Sequence, residues 1–293
     1  MDSPMVDGSK LFFDRIKYTA AQALPDLAFM DHLEALRWHI FRSVIAWLAA
    51  VIAVFFYIDK IFDNVIYAPA KSDFITYGAL CKFGYKLGIG DALCMPPVNI
   101  PLQGNTISGP FMSAVSIAMI GGFIIVFPYI LWELWKFIKP ALSPKEIRYS
   151  RGSIFYISTC FITGAAFGYY LLAPFTFNFL ANFKLGGTGT YQYLPTLDDY
   201  IDTLNNIILG CGIAFELPVF AYVLAKLGLV SAAYLRKTRK YSVVIILVLA
   251  AVITPSPDWT SQFLVAIPLL LLFELSIFIA ARVDKQKAAG ELL

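Results

Sequence analysis

Acidic side chains in apolar surroundings are the residues of this 293-residue chain most able to do chemistry. Glu216 lies in the segment GCGIAFELP, residues 210–218, inside a long apolar stretch. A carboxyl group within a membrane is costly, so it is either protonated or hydrogen-bonded, and it marks a functional position by default. Two interpretations of Glu216 stay open. It is a docking point for a partner helix or inserted peptide, or it is a neutral glutamic acid bonded to a neighbouring helix.

Four other polar residues in or beside apolar segments are weaker candidates. Glu133 lies among tryptophans near the end of its segment, where we expect the carboxylate to reach water. Glu274 could pair with a partner inside a helix bundle. Asp258 and Gln262 belong to the segment TPSPDWTSQ, residues 254–262. Asp258 could simply cap a helix, or both residues could belong to an intramembrane docking site together with Glu216.

Two clusters outside the apolar segments mix acidic and basic residues. Residues 31–39 read DHLEALRWH, and residues 139–148 read KPALSPKEIR, which places Glu146 among bases. His32 and His39 lack partners with metal-ligand spacing, so we interpret them as interfacial and expect no metal site. The chain also lacks a Walker loop, GxSxG, HExxH and intramembrane Ser/His or Asp/Asp constellations. We therefore predict no enzyme and no cofactor.

The composition indicates the class of fold that positions these residues. The chain is 59% hydrophobic and 15% charged, with a mean hydropathy of +0.69. Such a chain cannot cover a globule with polar surface, which excludes a soluble domain, a disordered chain, a nucleic-acid binder and a disulfide scaffold. Apolar runs without period-two alternation favour helices over a barrel. We predict an all-α polytopic membrane protein with six spans: Trp38–Ile58, Phe111–Ile138, Gly152–Ala173, Tyr200–Leu224, Tyr241–Thr254 and Phe263–Ala281.

The basic residues predict the orientation of these spans. With the N-terminus inside, eighteen of the 23 Lys and Arg residues lie on the inner side. The positive-inside rule then places both termini in the cytoplasm. Residues 1–29 lack the pattern of a cleavable signal peptide, so we expect the first span to remain as an anchor. The basic residues of the outer side are Lys60, Lys71, Lys82, Lys86 and Lys184.

The predicted organisation is a cytoplasmic N-terminal extension (1–37), a membrane domain (38–281) and a cytoplasmic tail (282–293). The fifth span has fourteen residues and reaches only about 21 Å, and Pro268 interrupts the sixth. This short pair predicts local thinning of the bilayer, unless the boundaries are imprecise.

The predicted outer loop, residues 59–110, is long enough to have a structure of its own. Cys81 and Cys94 would face an oxidising compartment if the membrane is a bacterial inner membrane, which favours a disulfide over two free thiols. Cys160 and Cys211 lie in apolar runs, and we expect them to be inert core residues.

Several short motifs follow one another along the chain. They are HLxxLR at 32–37; Pro128, Trp135, Phe137, PxL at 140–142 and Glu146; FELP at 215–218; and TPxPD at 254–258 followed by SQ at 261–262. In the order and spacing of these motifs and in its six predicted spans, the chain resembles the TatC family. TatC is the polytopic core subunit of the twin-arginine (Sec-independent) protein translocase. Residues 1–28 and the insert around 81–94 lie outside the resemblance.

The resemblance implies a cup-shaped receptor for signal peptides that carry two consecutive arginines. Such a receptor helps to export folded proteins across the bacterial inner membrane with the proton-motive force. The implied partners are single-span TatA and TatB subunits and, in the receptor complex, further copies of the chain. The implied signal-peptide patch is cytoplasmic, with Glu146 in the loop position that receives an arginine, together with Arg37, Glu34 and Phe137. Glu216 is implied to line the concave face.

Position 35 departs from the family pattern. The pattern HLxELR has a second acidic arginine acceptor where this chain has Ala35. Glu34 is adjacent, but one residue turns a helix by about 100° and points to another face. Either Glu34 substitutes imperfectly, or recognition relies on Glu146, or recognition is weakened. His39 replaces the second arginine of the motif.

A secondary transporter with Glu216 as its proton site is the competing interpretation. Transporters of this kind usually contain internal repeats with broken helices at matching positions. The segments 128–137, 215–224 and 268–278 share only a loose Pro and Glu content without common spacing. The sequence therefore predicts no repeat, which favours the translocase interpretation.

Overall fold

The structure is a computed structural model that describes residues 34–86, 88, 90, 94, 100–141, 152–182, 194–226, 228–254 and 259–288. These residues are almost entirely helical, and they contain no strand beyond an isolated bridge between Gln103 and Thr196. The helices are α1 Glu34–Phe56, α2 Ile58–Ile61, α3 Ile75–Lys86, α4 Gly109–Ile138, α5 Ser153–Phe167, α6 Ala173–Asn182, α7 Leu197–Ala214, α8 Leu217–Lys226, α9 Ala232–Lys237, α10 Arg239–Ile253 and α11 Trp259–Ala288.

Five helical segments of the described chain are long and apolar enough to cross a membrane. This confirms the prediction of an all-α polytopic membrane protein. The fifth predicted span corresponds to α10, whose 15 residues reach only about 22 Å, so the count of six spans remains a prediction. The five segments are Glu34–Phe56, Gly109–Ile138, Ile154–Asn182, Leu197–Lys226 and Val265–Ala288.

The third and sixth spans extend furthest beyond their predicted bounds. The third continues from α5 without a break through a π-helical turn, Gly168–Leu172, into α6, and this turn accommodates Pro174 inside the helix. The sixth lies within α11, a helix of 30 residues that includes Pro268. The helix continues through the first part of the predicted tail, where Val283 is buried and Lys287 Nζ donates to the Ala225 carbonyl at 2.9 Å.

The core is centred on α7, which packs against α4 and α5. Glycines allow α5 and α7 to approach closely: a Cβ atom on Gly164 would lie 2.5 Å from the Cys211 carbonyl oxygen. Phe161, Leu204 and Ile207 are fully buried between these helices. The close crossing fixes the end of α7, where Glu216 follows.

Helix α1 is attached to the bundle chiefly through α4. A Cβ on Gly122 would meet the backbone nitrogen of Val51 at 2.9 Å, and Trp47 Nε1 donates to the Met119 carbonyl at 3.0 Å. Most other apolar side chains of α1 are exposed, as expected for a helix that faces lipid. The position of α1 relative to α4 therefore depends on a few contacts.

The outer loop is folded against one end of the bundle. Tyr200 Oη donates to the Ile66 carbonyl at 2.7 Å, and Thr76 Oγ1 donates to the Tyr170 carbonyl at 2.6 Å. Burial raises the pKa of Tyr77 to about 12, so its phenol stays protonated and donates to the Pro69 carbonyl. The long loop thus has its own structure, as its length predicts.

The structure joins Cys81 and Cys94 by a disulfide within this loop. The bond ties the end of α3 to the segment that leads back towards α4. Cys160 and Cys211 are free thiols in the helical core, with Cys211 buried against Gly168.

Candidate functional site

Glu133 forms the centre of a buried charged cluster between α1 and α4. Its side chain is only 1% exposed, although the sequence predicts that it reaches water. Its Oε2 atom lies 2.7 Å from Nδ1 of His39, and its Oε1 atom lies 2.7 Å from Nζ of Lys136. The prediction was wrong because α1 covers this face of α4 and supplies a hydrogen-bond partner.

Aromatic rings surround this cluster. The His39 ring makes an edge contact with Phe137 at 6.4 Å, and Lys136 Nζ lies 4.6 Å from the centre of the Trp132 ring. Lys136 is 40% exposed and His39 is 20% exposed, so both lie between Glu133 and the surroundings. We name Glu133, His39, Lys136, Trp132 and Phe137 the α1–α4 cluster.

The helix positions explain how the cluster forms. Glu133 and Lys136 are three residues apart and therefore adjacent on the surface of α4. His39 is four residues after Ala35 in α1, so both lie on one face of that helix. Sequence reasoning missed the cluster because its two halves are 94 residues apart. The available signal was the histidine in the motif's second arginine position, together with a glutamate on the next span.

The predicted recognition residues are only partly described. Phe137 contacts His39 and thereby belongs to the α1–α4 cluster. Glu34 and Arg37 are exposed in the first turns of α1. Glu146 lies outside the described residues, nine positions after Phe137 in the chain.

Glu216 lies at the break between α7 and α8. Pro218 has no N–H group, so the Ala214 carbonyl loses its usual helical partner and the helix is interrupted. The Glu216 residue is 5% exposed, and its Oε1 atom is buried without a hydrogen-bond partner in the described structure. Cys160 and the backbone of Phe161 on α5 are its near neighbours.

The other predicted docking residues have different surroundings. Gln262 Nε2 donates to the Leu247 carbonyl at 2.9 Å and thereby connects α11 to α10. Asp258 lies outside the described residues. Glu274 pairs with Arg239 Nη2 at 2.6 Å, but both side chains are half-exposed, so the pair does not lie inside the bundle.

The described residues contain no group of three or more His, Cys, Asp or Glu side chains that could hold a metal ion. In the described residues, the Glu133 carboxylate is paired within the α1–α4 cluster, whereas the Oε1 atom of Glu216 has no hydrogen-bond partner. Both oxygens of Glu133 are thus already bonded, whereas the Glu216 Oε1 atom can accept a hydrogen bond from a further donor.

Comparisons with known proteins identify the family. Residues 31–268 match the family described as Sec-independent protein translocase protein (TatC). A TatC protein of Blattabacterium sp. subsp. Periplaneta americana is 40% identical, with 89% of this chain and 98% of that protein covered. A TatC protein of Carboxydothermus hydrogenoformans is 35% identical over 90% of this chain and 97% of that protein.

A solved structure agrees with this result. The crystal structure of the twin arginine translocase receptor TatC in DDM superimposes with a TM-score of 0.67 at 31% identity, covering 85% of this chain and 99% of that one. A second crystal structure of the same receptor gives a TM-score of 0.64. The chain therefore belongs to the TatC family of Sec-independent protein translocase proteins.

Proposed function

We propose that this chain is the signal-peptide receptor and core component of a twin-arginine translocase, which exports folded proteins with the proton-motive force. The carrying observation is the family match over residues 31–268, which spans the α1–α4 cluster and Glu216. A translocase component moves proteins and is not an enzyme. We place it in a bacterial inner membrane. Residues 1–37 and 282–293 are then cytoplasmic and flank the membrane domain. The proposed partners are single-span TatA and TatB subunits and further copies of this chain.

The α1–α4 cluster supports a recognition surface on the cytoplasmic side. The contact between His39 and Phe137 brings the start of α1 next to the end of α4. Glu34 and Arg37 precede His39 in α1, and Glu146 follows Phe137 by nine positions in the sequence. We propose that a signal peptide binds at the junction of α1 and α4.

Carboxylates can distinguish arginine from lysine because a guanidinium is planar and binds them through two parallel hydrogen bonds. Each charge-assisted hydrogen bond contributes about 1.5–3 kcal/mol net, whereas micromolar affinity requires about 8 kcal/mol. Burial of the signal peptide's apolar segment along the bundle must supply the difference. We therefore propose that charge sets register and selectivity, while apolar burial holds the peptide.

Glu146→Gln tests the proposed arginine acceptor. The change removes the charge and keeps the shape, so we expect a twin-arginine peptide to lose its advantage over a twin-lysine peptide. Crosslinking of a photoreactive signal peptide to the chain in native-like membranes measures this preference.

Glu34→Gln is the matched control because it removes an acidic charge from the start of α1. Under the proposal its effect on the preference is smaller than that of Glu146→Gln. Ala35→Glu restores the family pattern, and we expect it to strengthen the preference. An unmodified chain that binds both peptides equally would refute the receptor function.

Glu216 and the residues near it offer a separate docking point. Its unpaired Oε1 atom, at a helix break in the membrane, favours a hydrogen-bond donor from outside the described chain. We propose that Glu216, with Gln262 and Asp258, contacts a single-span partner or the inserted signal peptide.

A further inference from the structure

The two partners of Glu133 are held in place to different degrees. Its Oε1 atom accepts a hydrogen bond from Nζ of Lys136, whose long, flexible side chain is 40% exposed. Its Oε2 atom bonds to His39, which is held by α1 and by the Phe137 ring. The two oxygens thus differ: one contacts a fixed neighbour, and the other contacts a side chain that can swing away.

Exchange of one cation for another avoids the main penalty of opening a buried ion pair. Removal of Lys136 alone would leave a charged carboxylate buried and uncompensated, which is strongly unfavourable. Replacement of the ammonium by a ligand's guanidinium keeps the charge balance of the site. The exposed Trp132 ring, over which Lys136 now lies, offers a face for stacking a guanidinium.

We propose that Glu133 is a second guanidinium-binding residue of this chain, and that an arginine of the signal peptide binds it by displacing Lys136. This inference rests on the proposed receptor function. Ala35, which lies on the same helix face as His39, has no charge to offer at this junction. Glu133 supplies a carboxylate from the opposite helix.

The displacement accounts for selectivity against lysine. A lysine ligand would replace one ammonium by another, so it gains little over the tethered Lys136. An arginine ligand adds a second donor and a planar stacking surface. Lys136 therefore acts as a competitor that only a guanidinium outbinds.

Lys136→Met tests the displacement. Methionine keeps most of the aliphatic stem and removes the competing ammonium. We expect affinity for a fluorescent twin-arginine signal peptide to rise by about tenfold, as for the gain of one charge-assisted hydrogen bond. A twin-lysine peptide should also gain, because the same competing ammonium is removed for both ligands. Fluorescence anisotropy with the full chain in lipid nanodiscs measures both affinities.

Lys139→Met is the matched control, because it removes an exposed positive charge one residue after α4. This variant measures how much the affinity for a cationic peptide rises when any nearby positive charge is removed. The proposal requires a larger gain from Lys136→Met than from Lys139→Met. It also requires that the double variant Glu133→Gln/Lys136→Met lose this gain.

Lys136→Arg gives an independent test that does not depend on an unpaired carboxylate. A tethered guanidinium competes better than an ammonium, so affinity for the twin-arginine peptide should fall several-fold. Equal effects of Lys136→Met and Lys139→Met, or unchanged affinity in Lys136→Arg, would overturn the role of Glu133. Failure of the unmodified chain to prefer the twin-arginine peptide would instead refute the receptor function.

Discussion

Glu133 and Glu216 are two buried carboxyl groups that differ in their hydrogen bonding. Glu133 has a partner on each oxygen, so it is satisfied within the chain. Glu216 has a buried Oε1 atom without a partner in the described residues. A buried polar group left unsatisfied costs about 1–3 kcal/mol, which a partner's donor would recover. At the residue scale, we therefore expect Glu216, rather than Glu133, to accept a hydrogen bond from a partner helix.

Glu216→Ala should impair assembly and transport while leaving cytoplasmic signal-peptide binding mostly intact. The substitution removes the acceptor at the helix break but leaves the α1–α4 cluster unchanged. Site-specific photocrosslinking from residues beside position 216 to a single-span partner measures docking, and export of a folded reporter measures transport.

Glu216→Gln is the control for this prediction, since its amide keeps the volume and an acceptor oxygen. We expect it to keep more of the partner crosslink than Glu216→Ala does. Normal transport and an unaltered crosslink pattern in Glu216→Ala would rule out the docking role.

At the element scale, the close crossing of α5 and α7 supports the break at Glu216. Gly164→Ala places a Cβ atom 2.5 Å from the Cys211 carbonyl and 2.7 Å from Phe215 Cβ, so backbone must shift. We expect a loss of about 1–3 kcal/mol in stability, measured as a lower thermal unfolding midpoint in detergent. Gly78→Ala in α3 is the matched control, because its Cβ meets nothing within 4 Å. An equal midpoint in both variants would show that the α5–α7 crossing is not tight.

The sequence predicts the helical segments better than their ends and contacts. Apolar runs locate the spans because burial in lipid depends on composition, which is local. The end of the third span was missed: the predicted span stops at Ala173, whereas the helix continues past Pro174 to Asn182 after a π-helical turn. The pairing of His39 with Glu133 depends on how α1 crosses α4, and no local pattern encodes a contact across 94 residues.

At the scale of the whole molecule, the ends of α8 and α11 indicate how many times the chain crosses the membrane. Lys287 Nζ near the end of α11 bonds to the Ala225 carbonyl near the end of α8, and Asp284 accepts from the Ala232 N–H group. Both spans therefore finish on one side of the bundle. The chain between them must return to the opposite side before α11 begins, and α10 is the apolar helix available for that crossing. This supports six spans, with a bilayer thinned around α10.

Cysteine labelling of intact cells tests this topology. With six spans, Lys139→Cys and Lys285→Cys lie on the cytoplasmic side, and a membrane-impermeant maleimide reaches them only after lysis. Cys81 and Cys94, which form a disulfide, should react from the outside once it is reduced, because the proposed topology places the outer loop on that face. A five-span chain, in which α10 does not cross, would expose Lys285→Cys to the outside while Lys139→Cys stayed protected. The basic residues near the end of α11, together with its contact to α8, lead us to expect that both introduced cysteines are protected alike.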